Sequence, residues 1–426
     1  MTRDTAAGPA GDMGDAARSG DGEHVVVVGA GIIGAAVARD LAASGRRVTV
    51  LDTSPGTGST AGNAGLVVPS YATPMSTPEN LLAGLRSLGR PSAPLTFALP
   101  LGPATVGWLL RFVLACRPAR VRRDTAELHR LARWSHDAYH AMQRDGLDLG
   151  LRRAGWLWAS SVEPPDGLRR TAERLRRAGA TCEVLDAPGA RALEPGLGDV
   201  VTSGLWFPEE SVLDPGRASA ALLADAVARG ARLRTEKVVG VERRGRRVHA
   251  VRTDHGVIEA ERFVLATGAR VRGTARLFGL RVPVQPGYGW SVTLGGGRDV
   301  VQHALMDLER HVVISPMGDQ VRITGGMEFG GRPGSPPRSA ALEHLREAGF
   351  TLVPGLRRLE QVDAWRGARP MTPSGLPVVG RRRGAPNVVV AAGHGPLGIT
   401  LAPSTARRVV EVLDEIADAS PATATR

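Results

Sequence analysis

The first residues in this chain that can do chemistry are three glycines. Gly29-Ala30-Gly31-Ile32-Ile33-Gly34 is a G-x-G-x-x-G run placed directly after the valines of His24–Val28. Gly29 permits a tight turn out of a strand, Gly31 lets the backbone approach a pyrophosphate, and Gly34 lets a helix pack closely on that strand. The helix start turns its N–H groups and its dipole toward phosphate charge. A second apolar run, Arg47–Leu51, ends at Asp52, 18 residues beyond Gly34 (52 − 34). That is near the spacing of about 20 expected of an acid that holds ribose hydroxyls. The constellation reads as a dinucleotide site and does not choose between NAD and FAD.

Other constellations carry less. His136 and His140 are four apart on an expected helix, so both can face one metal, but no glutamate follows His136 and no third ligand is evident. A solvated helix face is the expectation, and no metal site is expected. Lys237 is followed by Val238, so there is no P-loop, and no G-x-S-x-G elbow occurs. The two cysteines, Cys116 and Cys182, suit neither a disulfide framework nor a thiolate metal site. A reducing, cytoplasmic location is the simplest reading.

The elements that must position these residues follow from the patterning. The valines of 24–28 suit a strand buried on both faces. Residues 31–44 have helical spacing of Ala, Ile and Leu, and 47–51 form a second buried strand, completing a βαβ unit. Helices are expected over 126–143, 215–229, 339–348 and 404–417, with strands over 232–265, 282–323 and 387–392. The chain of 426 residues suggests roughly two domains. Residues 1–22 are Ala, Gly, Asp and Ser with almost nothing apolar and are expected to be a disordered tail. The net charge of +12 comes from arginine spread along the whole chain, with Lys237 the only lysine, so nucleic acid is not an expected partner. Residues 95–116 are apolar and are followed by Arg117, Arg120, Arg122 and Arg123. A packed helix is favoured there over peripheral contact with the inner face of a membrane, because Pro100, Gly102, Pro103 and Gly107 interrupt the stretch.

Five further blocks stand in order. They are Ser59-Thr60-Ala61-Gly62-Asn63-Ala64-Gly65 with Val68 to Pro74, then Phe263 to Ala269, then Pro286-Gly287-Tyr288. The last two are Trp365-Arg366-Gly367-Ala368-Arg369-Pro370-Met371-Thr372-Pro373 through Gly380, and Gly393 to Thr400. In these blocks the chain resembles the FAD-dependent D-amino-acid dehydrogenase small subunits, within the wider superfamily of D-amino-acid oxidase, glycine oxidase and sarcosine oxidase. The resemblance implies an α/β fold. A Rossmann-like FAD-binding part would be assembled from residues 24–70, 214–280 and 360–418. A mostly antiparallel substrate part with helices would come from 71–213 and 281–359.

The resemblance also implies a site. FAD would contact Gly29, Ala30, Gly31, Ile32, Ile33, Gly34, Asp52, Ser59, Thr60, Asn63, Ala64 and Gly65. It would further contact Val238, Ala266, Thr267, Gly268, Gly393, His394, Gly395, Leu397, Gly398, Ile399 and Thr400. Arg369 would clamp a substrate carboxylate with its planar fork. Tyr288 and Tyr71 are the next substrate-side candidates, and half-buried packing explains each as well. Asn63 would stand over the flavin, or else close an Asx turn. Relatives with covalent flavin use a cysteine near the Arg369 segment. Neither cysteine is near it here, so non-covalent FAD is implied. Pro396-Leu397 stands where some relatives have a second arginine, which puts a second carboxylate clamp in doubt. The implied reaction is oxidation of an amino acid, a D-amino acid foremost, by hydride transfer to the flavin. The imino acid then hydrolyses to a keto acid and ammonia, and oxygen or a quinone takes the electrons. Two alternatives stand beside it. One is a flavoenzyme for glycine, hydroxyproline or an N-alkyl amino acid, alone or in a larger complex. The other, more remote, is a basic nucleic-acid or membrane binding protein that keeps the fold.

Overall fold

The structure is a computed structural model that describes residues 22–86, 95–97, 102–330 and 338–418. The expected N-terminal tail lies outside the described residues, except for Gly22.

Val25, Val26 and Val27 are wholly buried because the strand His24–Val28 is central in a six-stranded sheet. Its parallel neighbours are Arg47–Asp52 on one side and Arg262–Leu265 on the other. Arg232–Thr235 extends the sheet beyond Arg47–Asp52, and Ala385–Ala392 extends it beyond Arg262–Leu265. Val378–Arg382 closes that edge as an antiparallel hairpin strand. Both faces are covered, which is why the central strands read as unbroken β-branched runs. Helices Ile32–Ala43, Pro215–Ala228 and Gly398–Asp418 pack one face. The other face carries a three-stranded antiparallel sheet (Val238–Arg244, Arg247–Thr253, Val257–Glu259) and helix Val271–Leu277.

The second part is a nine-stranded, mostly antiparallel sheet. Its path runs Gln361–Met371, Gln285–Leu294, Gln320–Phe329, Val312–Met317, Ala304–Asp307, Trp156–Ser160, Ser203–Phe207 and Glu183–Asp186, with Leu95–Phe97 beside Gln320–Phe329. Helix Ser339–Leu352 packs on one of its faces. The fold is the expected α/β arrangement of a Rossmann-like part and a mostly antiparallel part.

Three local expectations differ from the structure. Gln361–Met371 was expected with the cofactor-binding part, yet it is the edge strand of the nine-stranded sheet, because its whole length pairs with Gln285–Leu294. The last helix begins at Gly398, six residues before the expected start at 404, and carries Pro403 inside. Pro403 has no N–H for the carbonyl of Ile399 one turn back. The buried Tyr139 hydroxyl donates to that carbonyl at 2.9 Å and makes the early start possible. His136 and His140 were expected on a solvated face. They turn inward instead, each ring sharing the Ser211 hydroxyl at 3.0 and 2.9 Å, on a helix, Pro118–Arg144, that packs against Gly398–Asp418 and Pro69–Tyr71.

Candidate functional site

A cavity of about 1050 Å³ runs from the G-x-G-x-x-G turn to the edge strand Gln361–Met371. At its first end the fingerprint is built as the sequence implied. Gly29 has φ +110°, and a Cβ there would sit 2.5 Å from the carbonyl oxygen of Ala266. A Cβ on Gly34 would sit 1.8 Å from the carbonyl oxygen of Gly29. Gly31 meets only the Thr60 hydroxyl, at 3.5 Å, so its slot stays open to the cavity. The helix it caps has no acidic residue in its first turn, and its positive end faces the cavity, where it favours an anion. Thr60 Oγ1 accepts the N–H of Ile32 at 3.2 Å.

Asp52 stands where a ribose is expected. Its oxygens accept the N–H groups of Ala30 at 2.7 Å and Ser54 at 2.8 Å. A carboxylate has acceptor sites left after two such bonds. Glu236, Lys237 and Val238 line the same end. Glu236 is buried, pairs with Arg234 through one oxygen, and has no partner for the other. The glycine cradle, the open helix end and these acids fit a dinucleotide. Glu236 was not singled out in the sequence, and Lys237 only as a lysine without a P-loop, because their approach to Asp52 depends on pairing between Arg47–Asp52 and Arg232–Thr235.

The other end is made by side chains. Residues alternate along a strand, so Trp365, Gly367 and Arg369 share one face. The Arg369 guanidinium lies across Gly289 of the neighbouring strand, where a Cβ would be 2.2 Å from Nη1. Nη1 donates to the carbonyl of Gly326 at 2.6 Å. Desolvation pulls the Arg369 pKa down to about 10, with nearby Tyr71 acting the other way, so it remains a cation at neutral pH. Among the described residues no carboxylate pairs with it. A guanidinium in a cavity wall with no carboxylate partner leaves its fork open to an incoming anion. Gly289 and Gly326 could not be assigned from sequence, since their role exists only through strand register.

Tyr71 stands on the one-turn helix Pro69–Tyr71, edge-on to Trp156 and Trp158 at 5.3 and 5.8 Å. Burial raises its pKa and Arg369 lowers it, so the two side chains share one electrostatic neighbourhood. Tyr288 is placed differently. It lines the cavity rim with Pro286 but projects from the sheet face opposite Arg369. There the Arg366 guanidinium stacks on its ring at 3.7 Å and pairs with Glu328 at 3.2 Å.

Asn63 lines the cavity, and its Oδ1 accepts the N–H of Gly65 at 2.8 Å, which is an Asx turn. Arg322 reaches over from the nine-stranded sheet and donates to the carbonyls of Ala61 and Asn63 at 2.6 and 3.0 Å. It ties this loop to the sheet, a role with no sequence signal. Ser59, Ala266, Thr267, Gly268, His394, Gly395, Gly398 and Ile399 also line the cavity. Ala30, Gly34, Ala64, Gly65, Gly393, Leu397 and Thr400 stand behind that wall; the Thr400 hydroxyl, for one, donates to the Leu66 carbonyl at 3.0 Å. His394 turns its ring to the Thr405 hydroxyl at 2.8 Å, and burial lowers its pKa to about 3, so it is neutral. Neither cysteine lines the cavity.

The model of the FAD-dependent oxidoreductase family matches residues 24–412. The chain belongs to this family. It is 34% identical to a protein named D-amino acid dehydrogenase from Cereibacter sphaeroides, over 92% of this chain and 92% of that one. It is 32% identical to one of the same name from Rhizorhabdus wittichii, over 91% of this chain and 95% of that one. Among solved structures, glycine oxidase from Bacillus cereus superposes with a TM-score of 0.72 at 18% identity, covering 92% of this chain and 95% of the other, and so shares the fold. This FAD-dependent oxidoreductase is thus a flavoenzyme of the amino-acid dehydrogenase and oxidase type, with FAD as cofactor.

Proposed function

We propose that this FAD-dependent oxidoreductase oxidises the Cα–N bond of an amino acid, a D-amino acid foremost, giving an imino acid that hydrolyses to a keto acid and ammonia. The observation that carries this is Arg369: a desolvated guanidinium in the cavity wall with one carbonyl partner and no acid. An α-carboxylate supplies the missing anion through two parallel hydrogen bonds. The D preference is supported by the names of relatives above 30% identity.

The chain's share of the reaction is binding and orientation. The turn Gly29 to Gly34 would hold the pyrophosphate of FAD, Asp52 a ribose, and the turn from His394 to Ile399 part of the flavin, without a covalent tether. Bound FAD supplies a two-electron acceptor for the substrate's Cα hydride. Arg369 fixes the carboxylate and thereby aims the Cα–H. His394 is too weak a base to take a proton from an ammonium. The substrate therefore reacts with its amine already neutral. Oxygen or a quinone accepts the electrons afterwards, and the two free, buried cysteines suit a reducing, cytoplasmic compartment.

The test is anaerobic mixing of the yellow protein with D- and L-amino acids, glycine, sarcosine and hydroxyproline isomers while following the flavin band. Bleaching by D-amino acids is the expected result, and readmitted oxygen then separates oxidase from dehydrogenase. Bleaching by glycine or an N-alkyl amino acid alone would move the substrate to that class. No bleaching by any of them would overturn the reading.

A further inference from the structure

A second cavity, of about 220 Å³, lies on the Ser70 side of the turn Pro69–Tyr71 and shares no lining residue with the cavity that holds the fingerprint and Arg369. Helix Pro118–Arg144 forms one wall, and the segment 178–181 and the turn at Glu209-Glu210 form the others. Its floor is polar and buried. Glu210 is 6% exposed; one carboxyl oxygen accepts the Ser70 N–H at 3.0 Å, and the other, Oε2, has no partner. The Ser70 hydroxyl beside it is as deeply buried and closes no hydrogen bond. His129 Nε2 is unpartnered as well. Buried polar atoms are ordinarily paired, and here three that are not line one cavity. Burial pushes the Glu210 pKa up to about 7, against the pull of Ser70 and Arg133 and with Glu209 adding to the rise. The carboxyl is thus short of a positive partner.

The mouth of the cavity carries the opposite charge. Arg133 and Arg153 line it, both exposed, and among the described residues neither pairs with a carboxylate. Arg133 donates to the Gly179 carbonyl at 3.0 Å, which keeps its guanidinium at the cavity edge. Asp137, also on the rim, stands 3.6 Å from His136 Nδ1. Burial lowers the pKa of His129 and of His136, so neither adds a cation at neutral pH. An anion alone would face Glu210, and an amine alone would face the arginines. A molecule with both charges suits both ends. An ammonium has three N–H donors for Glu210 Oε2, Ser70 Oγ and His129 Nε2, and a carboxylate accepts from guanidinium. The volume is below the range of about 300–1,000 Å³ usual for drug-sized ligands, so the molecule is small.

We propose that this pocket binds a free α-amino acid as its zwitterion, at a site separate from the reacting one, with the ammonium on Glu210 and Ser70 and the carboxylate on Arg133 and Arg153. Ser70 is followed by Tyr71, which shares its electrostatic neighbourhood with Arg369. A ligand that draws on Ser70 and Glu210 is therefore coupled to the substrate end through a single turn. Only this coupling rests on the amino-acid-oxidising reading; the binding does not.

The experiment is calorimetric titration of the Arg369→Ala holoenzyme, whose substrate clamp is gone, with D-alanine, L-alanine, methylamine and acetate. Alanine of at least one hand is expected to bind at one molecule per chain. Methylamine and acetate each lack one charged end and should bind at least about tenfold more weakly. Adding Glu210→Gln keeps an oxygen for the Ser70 N–H but removes the charge, and should weaken alanine binding at least about tenfold. Arg153→Gln changes an exposed residue, so the fold persists, and should weaken it about threefold. No binding of alanine, or binding that neither variant weakens, overturns the proposal and gives the pocket to water. Methylamine or acetate binding as tightly as alanine overturns the zwitterion in favour of a singly charged ligand. With Arg369 intact, Glu210→Gln should shift the substrate KM about fivefold with kcat little changed, and an unaltered KM removes the coupling. A protein that binds alanine here yet bleaches with no amino acid keeps this site and loses the catalytic reading instead.

Discussion

The two ends of the cavity are built on opposite principles. The fingerprint end is a surface of backbone, where Gly29, Gly31 and Gly34 matter for the side chains they lack. The arginine end is a surface of one side chain, where Arg369 matters for the charge it carries. Backbone recognition tolerates almost no substitution, because any added atom meets fixed main chain. Side-chain recognition can be graded, since a guanidinium can be moved or removed without disturbing the sheet beneath it.

That contrast is broken most forcefully at Gly34. A Cβ there would lie 1.8 Å from the Gly29 carbonyl oxygen, so Gly34→Ala must shift backbone. Flavin affinity should fall at least about a hundredfold, read as lost yellow colour in protein that still melts cooperatively. Normal flavin content would mean that the turn is softer than its geometry implies. Arg369→Ala should act at the other end alone. We expect kcat/KM to fall by roughly 10²–10³-fold with flavin still bound, the usual cost of removing one partner of a buried charged pair. Unchanged kinetics would remove Arg369 from the substrate site.

Gly289→Ala sharpens the comparison. Its Cβ would press on the end of a flexible side chain, 2.2 Å from Arg369 Nη1, so the fold and the flavin should survive. KM should rise about tenfold as the guanidinium is displaced, a modest version of what misplacement by about 1 Å can do. An unaltered KM would show that the cradle does not aim the arginine.

The smallest effect concerns His394. Its folded pKa of about 3 lies below its ordinary value of 6.5, so the unfolded chain binds the proton more readily. The stabilisation is full above about pH 6.5 and is lost as pH falls from there toward 3. His394→Gln should flatten that part of the stability–pH curve in chemical denaturation, with little change in turnover at pH 8. An acid slope identical to wild type would mean that His394 is not the group responsible.

How far the sequence went differs between the same two ends. The βαβ unit, its glycines and Asp52 were legible because turn geometry and strand burial are written in consecutive residues. Arg369 was legible as a carboxylate clamp only through the motif around it. Its cradle was not, because Gly289 and Gly326 reach it through pairing among three strands distant in sequence. Tyr288 shows the same limit: its residue type suits a substrate contact, yet the sheet turns it to the face opposite Arg369, against Arg366.

The sequence by itself determined the glycine-rich turn, the buried parallel strands, the longer helices and which arginine stands out in its motif. These rest on local spacing and on side chains with one plain use. Only the tertiary structure decided which sheet owns Gln361–Met371, how Arg322 holds the Ala61–Asn63 loop and why a helix can start before Pro403. It also decided which side of Pro103–Ala115 faces outward. Each of these depends on register or on a partner far along the chain, and hydrophobic periodicity carries no information about either.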